Sequence, residues 1–313
     1  MNGVYGYIDA AGTMTIAPRF SAAFSFKGGL ARIELPGSQN QGFIDKQGAV
    51  VIPPQFTPAS NFSEGLAAVT FPSGDSAFID ATGKVVTPHF SETWDFSSGL
   101  APVTTFASHY KFGFIDKTGN LVIPVRYDNV VVNQGPVFSE GLAAVGNGKV
   151  GSYKYGYIDP SGNMVTQPQY DAAQPFHEGL AAVRIGNLWG YIDKTGKMVI
   201  PLQFRAAFGF SGDRARVDVV SSQPGFIDKT GRKVIMLPAN WYAVDEFSEG
   251  LAPVQGNKGA GGFGFIDDAG RLVIPMQFDL PGRFSGGLAL VSSKGKVGAI
   301  DRSGQIVIPL QFE

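Results

Sequence analysis

The 313 residues include no cysteine, which excludes disulfides, thiolate metal sites and a cysteine nucleophile while leaving every compartment open. Histidine is nearly absent as well: His89, His109 and His177 fall at unrelated places, with no His-x-x-x-His pair and no Glu-flanked motif, so a zinc site is not expected. Charge of one sign is lacking, since 25 Lys plus Arg face 26 Asp plus Glu, and no basic field exists to hold nucleic acid or anionic lipid. No window approaches the roughly eighteen uninterrupted apolar residues of a membrane helix, so membrane insertion is not expected. Helical periodicity is scarce, and neither a Gly-x-Ser-x-Gly elbow nor a phosphate-cradling loop before a helix occurs. The start, Met1-Asn2-Gly3-Val4-Tyr5, has no basic segment, apolar run or cleavage site, so the chain is expected to be soluble, and cytoplasmic by default. Because it opens in mid-unit, a mature form or an excised piece of a longer protein fits equally well.

What is abundant is glycine and proline, 42 and 20 residues in a chain that is 44% apolar, a composition of tight turns and short buried strands rather than of disorder. The phrase Ile-Asp-x-x-Gly recurs nine times, in most copies preceded by Gly-aromatic. Its aspartates are Asp9, Asp45, Asp80, Asp116, Asp159, Asp193, Asp228, Asp267 and Asp301, and its glycines are Gly12, Gly48, Gly83, Gly119, Gly162, Gly196, Gly231, Gly270 and Gly304. Successive aspartates are 36, 35, 36, 43, 34, 35, 39 and 34 residues apart, which places Gly-rich insertions at 146–155 and 256–263. A single array over 1–313 is expected, with turn units near 3–20, 41–56, 76–90, 112–127, 155–170, 189–204, 224–242, 263–278 and 297–312.

A second phrase, Phe-Ser-Glu-Gly-Leu-Ala-x-Val, lies between these units at 62–69, 138–145 and 247–254, with variants at Phe26, Phe96, Phe176, Phe210 and Phe284. A third, Val-Ile-Pro-x-Gln-Phe, follows the turns, as at 51–56, 199–204, 273–278 and 307–312. Three phrases in fixed order resemble the WG repeat family, most closely along Leu188-Trp189-Gly190-Tyr191-Ile192-Asp193-Lys194-Thr195-Gly196-Lys197-Met198-Val199-Ile200-Pro201. The naming tryptophan occurs only at Trp189; Tyr5, Gln41, Ser76, Phe112, Tyr155, Pro224, Phe263 and Val297 stand elsewhere, so a role tied to that indole does not carry over. The resemblance implies an interaction module of mostly bacterial proteins, without chemistry of its own.

Physically, Ile-Asp-x-x-Gly reads as a type I turn, with Asp accepting a hydrogen bond from the backbone two residues on and Gly taking positive φ. It joins two strands of a hairpin, the second of which is expected to end at Pro, which has no N–H to donate. Gly-Leu-Ala-x-Val alternates with period two and reads as a third strand. The fold class is therefore all-β, a tandem array of about nine three-stranded meanders of about 35 residues. An open superhelical stack is preferred, because a propeller blade commonly has four strands and about 40–45 residues; the alternative is a closed or nearly closed β-propeller-like ring. Each unit is too small to bury its own apolar face and must lean on its neighbours.

No catalytic or cofactor-binding residue is assigned. The nine turn aspartates are explained by their own turns, and Glu64, Glu140, Glu178 and Glu249 by solvated turn positions, since Gly28, Ser98, Gly212 and Gly286 replace them. Residues that break the repeat, Trp94, Trp241 and Tyr242, are the candidate interaction residues, with the two insertions as candidate recognition loops. The function expected is a non-catalytic scaffold for an unknown protein or peptide partner. The alternatives are self-association through open sheet edges and carbohydrate binding through exposed aromatics.

Overall fold

The computed structural model describes residues 4–128, 136–148, 152–219, 222–256 and 262–312. Every regular element among them is a β-strand, and no helix is long and apolar enough to cross a membrane. The chain forms two compact units, one of Met1–Asp9 with Thr13–Gln169 and one of Ala10–Gly12 with Tyr170–Glu313.

The repeating sheet is clearest in three copies. In the first unit, Ala22–Ala23, Ala31–Glu34, Gln41–Ile44 and Val50–Phe56 form one antiparallel sheet in that order. In the second unit the same pattern recurs over Tyr242–Ala243, Leu251–Gln255, Phe263–Asp267 and Leu272–Phe278, and again over Leu280–Pro281, Leu288–Ser293, Lys296–Asp301 and Ile306–Phe312. The meander expected from the sequence is thus extended by a two-residue strand at one edge. Larger sheets arise where copies fuse, as where Met198–Ser211 runs without a break from the outer strand of one copy into the lead strand of the next.

The outer strand differs from the expectation that Pro ends it. Val50–Phe56 passes through Pro53 and Pro54, pairing Ile52 with Phe43 and Phe56 with Gln41, so two extra residues bulge outward between these pairs. A prolyl ring is tolerated because this is an edge strand at a bulge, where no ladder donor is needed. The bulge also explains the glycine ahead of each aromatic. A Cβ on Gly42 would lie 2.5 Å from both the Ile52 carbonyl oxygen and the Pro54 nitrogen, closer than any side chain fits. The third copy has Ala77 in place of this glycine, fully buried, and here the outer segment forms no regular strand: Val85 and Phe90 bridge back to Ile79 and Ser76, and the Val86 amide donates to the Phe78 carbonyl.

Cores form between copies rather than within them. Leu30, Phe43, Ile52 and Phe56 of one sheet pack with Ala59, Phe62, Ala67, Val69 and Ile79 of the next. The recurring joint is a pair of rings, the aromatic of Gly-aromatic-Ile against the Phe of the following Phe-Ser-x-Gly. Phe43 meets Phe62 at 5.0 Å, Phe78 meets Phe96 at 4.6 Å and Phe114 meets Phe138 at 5.0 Å. In the second unit Tyr191 meets Phe210, Phe226 meets Phe247 and Phe265 meets Phe284 at 4.8–5.1 Å. Each such tilted or edge-on pair adds about 0.5–1.5 kcal/mol beyond the area it buries.

Candidate interaction site

Two families of turns carry nearly all the recurring polar groups. In the hairpin turn, Asp45 Oδ1 accepts from the amides of Gln47 at 3.0 Å and Ala49 at 2.8 Å, while Gly48 N donates to the Asp45 carbonyl and Gly48 sits at φ +86°. A Cβ there would also lie 3.0 Å from Ile16 Cγ2 of the preceding copy, so the turn tip is a packing surface as well as a bend. The aspartate amide pattern recurs at Asp80, Asp116, Asp159, Asp193, Asp228, Asp267 and Asp301. Asp9 accepts from Thr13 N at 2.8 Å, and Gly12, Gly83, Gly119, Gly162, Gly196, Gly231, Gly270 and Gly304 all have positive φ. Donors stabilise the charged carboxylate, and seven of these aspartates titrate low. The Thr118 hydroxyl, with the amide of Asn120, holds Asp116 at about 2. Hydroxyls of Thr82, Thr195, Thr230 and Ser303 lower Asp80, Asp193, Asp228 and Asp301, the Asn163 amide lowers Asp159, and the Arg271 guanidinium lowers Asp267.

The second family is the tight Phe-Ser-x-Gly-Leu turn. Its third residue is left-handed whether it is Glu64, Glu140, Glu178 or Glu249 at φ 50–52°, Ser98 at 55°, or Gly28, Gly212 and Gly286 at 58–61°. A non-glycine residue held there costs about 1–2 kcal/mol, and what offsets it is visible in the contacts. Glu178 reaches the next turn, where Gly212 N donates to Oε1 at 2.7 Å and Asp213 N to Oε2 at 3.0 Å. Glu249 does the same with Gly286 N and Gly287 N at 2.7 and 2.9 Å, and Glu64 accepts from Gly99 N at 3.0 Å. The glutamates occupy exposed turn positions, as expected, and Glu64, Glu178 and Glu249 in addition bond to the following copy.

In four of these turns the serine hydroxyl reaches forward too. Ser63 donates to the Phe96 carbonyl at 2.7 Å, Ser97 to Phe138, Ser211 to Phe247 and Ser248 to Phe284 at 2.5–2.7 Å. A cation completes the arrangement. Lys117, one residue after Asp116, lies 3.2 Å from Glu64 Oε2, and Lys229, one residue after Asp228, lies 3.2 Å from Glu178 Oε2 and 2.6 Å from Asp213 Oδ1. The sequence signal was present: glutamate interchanges with glycine at one position, the mark of a positive φ, and a basic residue follows the turn aspartate one copy ahead.

The repeat-breaking aromatics are placed differently from one another. Trp94, in the first unit, is half-buried, with its amide donating to Pro102 O at 3.2 Å. Trp241, in the second, packs partly buried against a core of Phe226, Ile235, Leu237 and Ala243, while the adjacent Tyr242 is 53% exposed and pairs with Gln255. Trp189 is opposite Phe204 in register and leans on the core of its copy, with the Arg184 guanidinium 5.8 Å from its ring. The insertions at 146–155 and 256–263 lie partly outside the described residues.

Sequence reasoning missed a further exposed apolar set. In each unit the outer strands show two consecutive side chains to solvent, Val50 and Val51 or Leu121 and Val122 in the first, Leu272 and Val273 or Ile306 and Val307 in the second. A second register shift, between the Ile44–Val50 and Phe43–Ile52 pairs and at the matching places of the other copies, breaks strict alternation ahead of the Pro bulge, so the strand buries only Ile and the terminal aromatic. Among the described residues no three His, Cys, Asp or Glu side chains gather so as to hold a metal ion.

In three-dimensional likeness, the computationally designed Ika8 protein is 13% identical and covers 90% of this chain and 96% of its own, with a TM-score of 0.51. BamB from Moraxella catarrhalis is 12% identical, covering 87% of this chain and 90% of its own with a TM-score of 0.47. AztD from Citrobacter koseri, in its apo form, is 11% identical, covering 93% and 94% with a TM-score of 0.47. At such identities the likeness to Ika8 speaks to fold alone. No curated protein matches in sequence. The model of the family described as WG containing repeat matches residues 5–35, 42–71, 77–105, 112–149, 155–189, 189–219, 225–258, 263–296 and 298–313. With nine successive matches spread over nearly its whole length, the chain belongs to the WG containing repeat family.

Proposed function

We propose that this chain is a soluble, non-catalytic repeat scaffold that presents an extended surface to a protein or peptide partner. One observation carries the reading. The recurring polar groups are consumed in building the array, the aspartates by their own turns and the serines and glutamates by the next copy, while the repeated apolar residues of the outer strands face solvent. A surface of that kind offers side chains for contact and few groups for proton or group transfer.

The test is affinity capture with the intact chain, repeated with Val51→Asp, Val122→Asp and Val273→Asp combined. These positions are solvent-facing, so the variant keeps its fold, checked by circular dichroism, and is expected to lose the captured partner. A partner retained undiminished by the triple variant, or no partner recovered under several conditions, defeats the proposal.

A further inference from the structure

An outer strand at the edge of its sheet is a template for a further strand unless something blunts it. Proline does so, because it has no N–H to offer an incoming chain. Eight of the nine copies carry Pro one or two residues after the buried Ile or Thr of the outer segment, as at Pro53, Pro201 and Pro275. The seventh copy does not: Ile235 is followed by Met236 and Leu237, and Pro238 comes only after the strand has ended.

The backbone there lacks the bulge that Pro marks elsewhere, since Met236 pairs directly with Gly225 and Leu237 N donates to the Pro224 carbonyl at 3.4 Å. At the start of the strand Lys233 pairs with Ile227, and Asp228 N donates to the Arg232 carbonyl at 2.9 Å. In an antiparallel ladder, bonds placed beside a pair leave the paired residues' own N–H and C=O pointing away from the neighbouring strand. Lys233 and Met236 therefore turn these groups outward, and Lys233–Met236 stands at one edge of its seven-stranded sheet. The Met236 side chain is 67% exposed. Ile235 is buried, and a Cβ on Gly270 of the following turn would lie 2.8 Å from its Cγ2, so the edge is backed by packed structure.

The charge along this edge is one-sided. Arg232 and Lys233 are the only consecutive bases in any of the nine outer segments, and no Asp or Glu occurs between Asp228 and Asp245. Arg232 meets Asp228 through Nε at 3.3 Å yet its side chain stays 79% exposed, and Lys233 is exposed as well.

We infer that the edge at Lys233–Met236 takes an extended segment of a partner protein as an added strand. The segment's backbone pairs with the N–H and C=O of Lys233 and Met236, an acidic side chain lies beside Arg232 and Lys233, and an apolar one lies against Met236. This deepens the scaffold reading and rests on it, giving the partner a chemistry: a stretch in β conformation that is both apolar and acidic. Main-chain bonds hold such a strand, and charge complementarity selects it.

The experiment uses the full-length chain labelled with nitrogen-15 and the blocked peptide acetyl-Thr-Val-Glu-Val-Glu-Val-Thr-amide. Titration is expected to shift the Lys233 and Met236 amide resonances and to saturate. Met236→Pro gives this copy the residue that stands at the matching place as Pro201 and Pro275, and is expected to weaken binding by about tenfold or more. Met236→Ala keeps the amide and is expected to stay within about threefold of wild type. Circular dichroism checks the fold of both. Exchanging the peptide's glutamates for lysine is expected to weaken binding severalfold at low salt, and Arg232→Glu with Lys233→Glu, both exposed positions, to reverse that preference. The inference is overturned by the absence of a saturable shift, by shifts centred on other strands, by undiminished binding to Met236→Pro, by equal loss in Met236→Ala, or by indifference to the peptide's charge. Any of these leaves the scaffold reading standing, since that is decided separately by capture with the outer-strand variants.

Discussion

Replacing Phe62 with Ala removes one ring of the joint that links two copies. Phe62 is buried, meets Phe43 edge-on at 5.0 Å and shares a core with Ile52, Phe56 and Val69. Truncation of a buried Phe costs about 3–5 kcal/mol in lost transfer energy and residual cavity, of which about 0.5–1.5 kcal/mol belongs to the ring pair itself. Against a usual domain stability of about 5–15 kcal/mol this is a large loss. In an array stabilised by nearest-neighbour interfaces, the loss concentrates in the copies flanking the joint. Urea unfolding gives the total, and hydrogen exchange read by mass spectrometry gives its location, expected over the sheets at 31–56 and 67–79. A double-mutant cycle isolates the pair: Phe43→Ala with Phe62→Ala is expected to couple by about 0.5–1.5 kcal/mol. The control, Phe43→Ala with Phe96→Ala, is expected to be additive within about 0.5 kcal/mol, because Phe96 stacks on Phe78 instead. Equal coupling in the two cycles, or uniform loss of protection along the chain, would refute the idea that copies hold one another up through these rings.

Gly42→Ala forces a Cβ into the bulged backbone at Pro53 and Pro54 and is expected to destabilise by about 1–3 kcal/mol in thermal unfolding. The reverse change, Ala77→Gly, is expected to let the outer segment of its copy settle, seen as slower exchange of the amides at 84–90. For Asp116 the folded carboxyl titrates at about 2 against roughly 3.9 unfolded. The folded value is the lower, so its contribution to stability is present above pH 4 and is lost as pH falls through about 2. Carbon-detected NMR should place its midpoint there, and Asp116→Asn should remove that part of the acid sensitivity. Glu178→Gln weakens the contact with the Gly212 and Asp213 amides and the pair with Lys229. A lower melting temperature is expected, with the difference from wild type shrinking in 1 M salt as the pair is screened.

Much of this organisation is legible in the residues. The period, the hairpin at Ile-Asp-x-x-Gly and the strand at Gly-Leu-Ala-x-Val follow from local chemistry and from alternation, which a single chain displays openly. Three features do not. The lead strand, as at Ala22–Ala23 or Glu92–Thr93, is two residues long and too short to show any period. The bulge at Pro is a property of two strands in register and appears only when Gly42 is set against Ile52 and Pro54. The forward reach of Glu64, Glu178 and Glu249 depends on a turn some 35 residues away, although glutamate and glycine alternating at one site already pointed to a left-handed backbone. Residues that merely broke the pattern were harder to interpret: Trp94 and Trp241 are half-buried, and of the three only Tyr242 is largely open to solvent.

The forward-reaching serines, glutamates and aromatics give the joints they form within each unit a direction, with an outgoing half on one copy and an incoming half on the next. Cuts made at the same landmark in two copies would bring an outgoing half against an incoming half of the same kind. Deleting one whole period is therefore a gentler change than deleting ten residues inside it. Such a chain can gain or lose modules by recombination without redesigning a single contact.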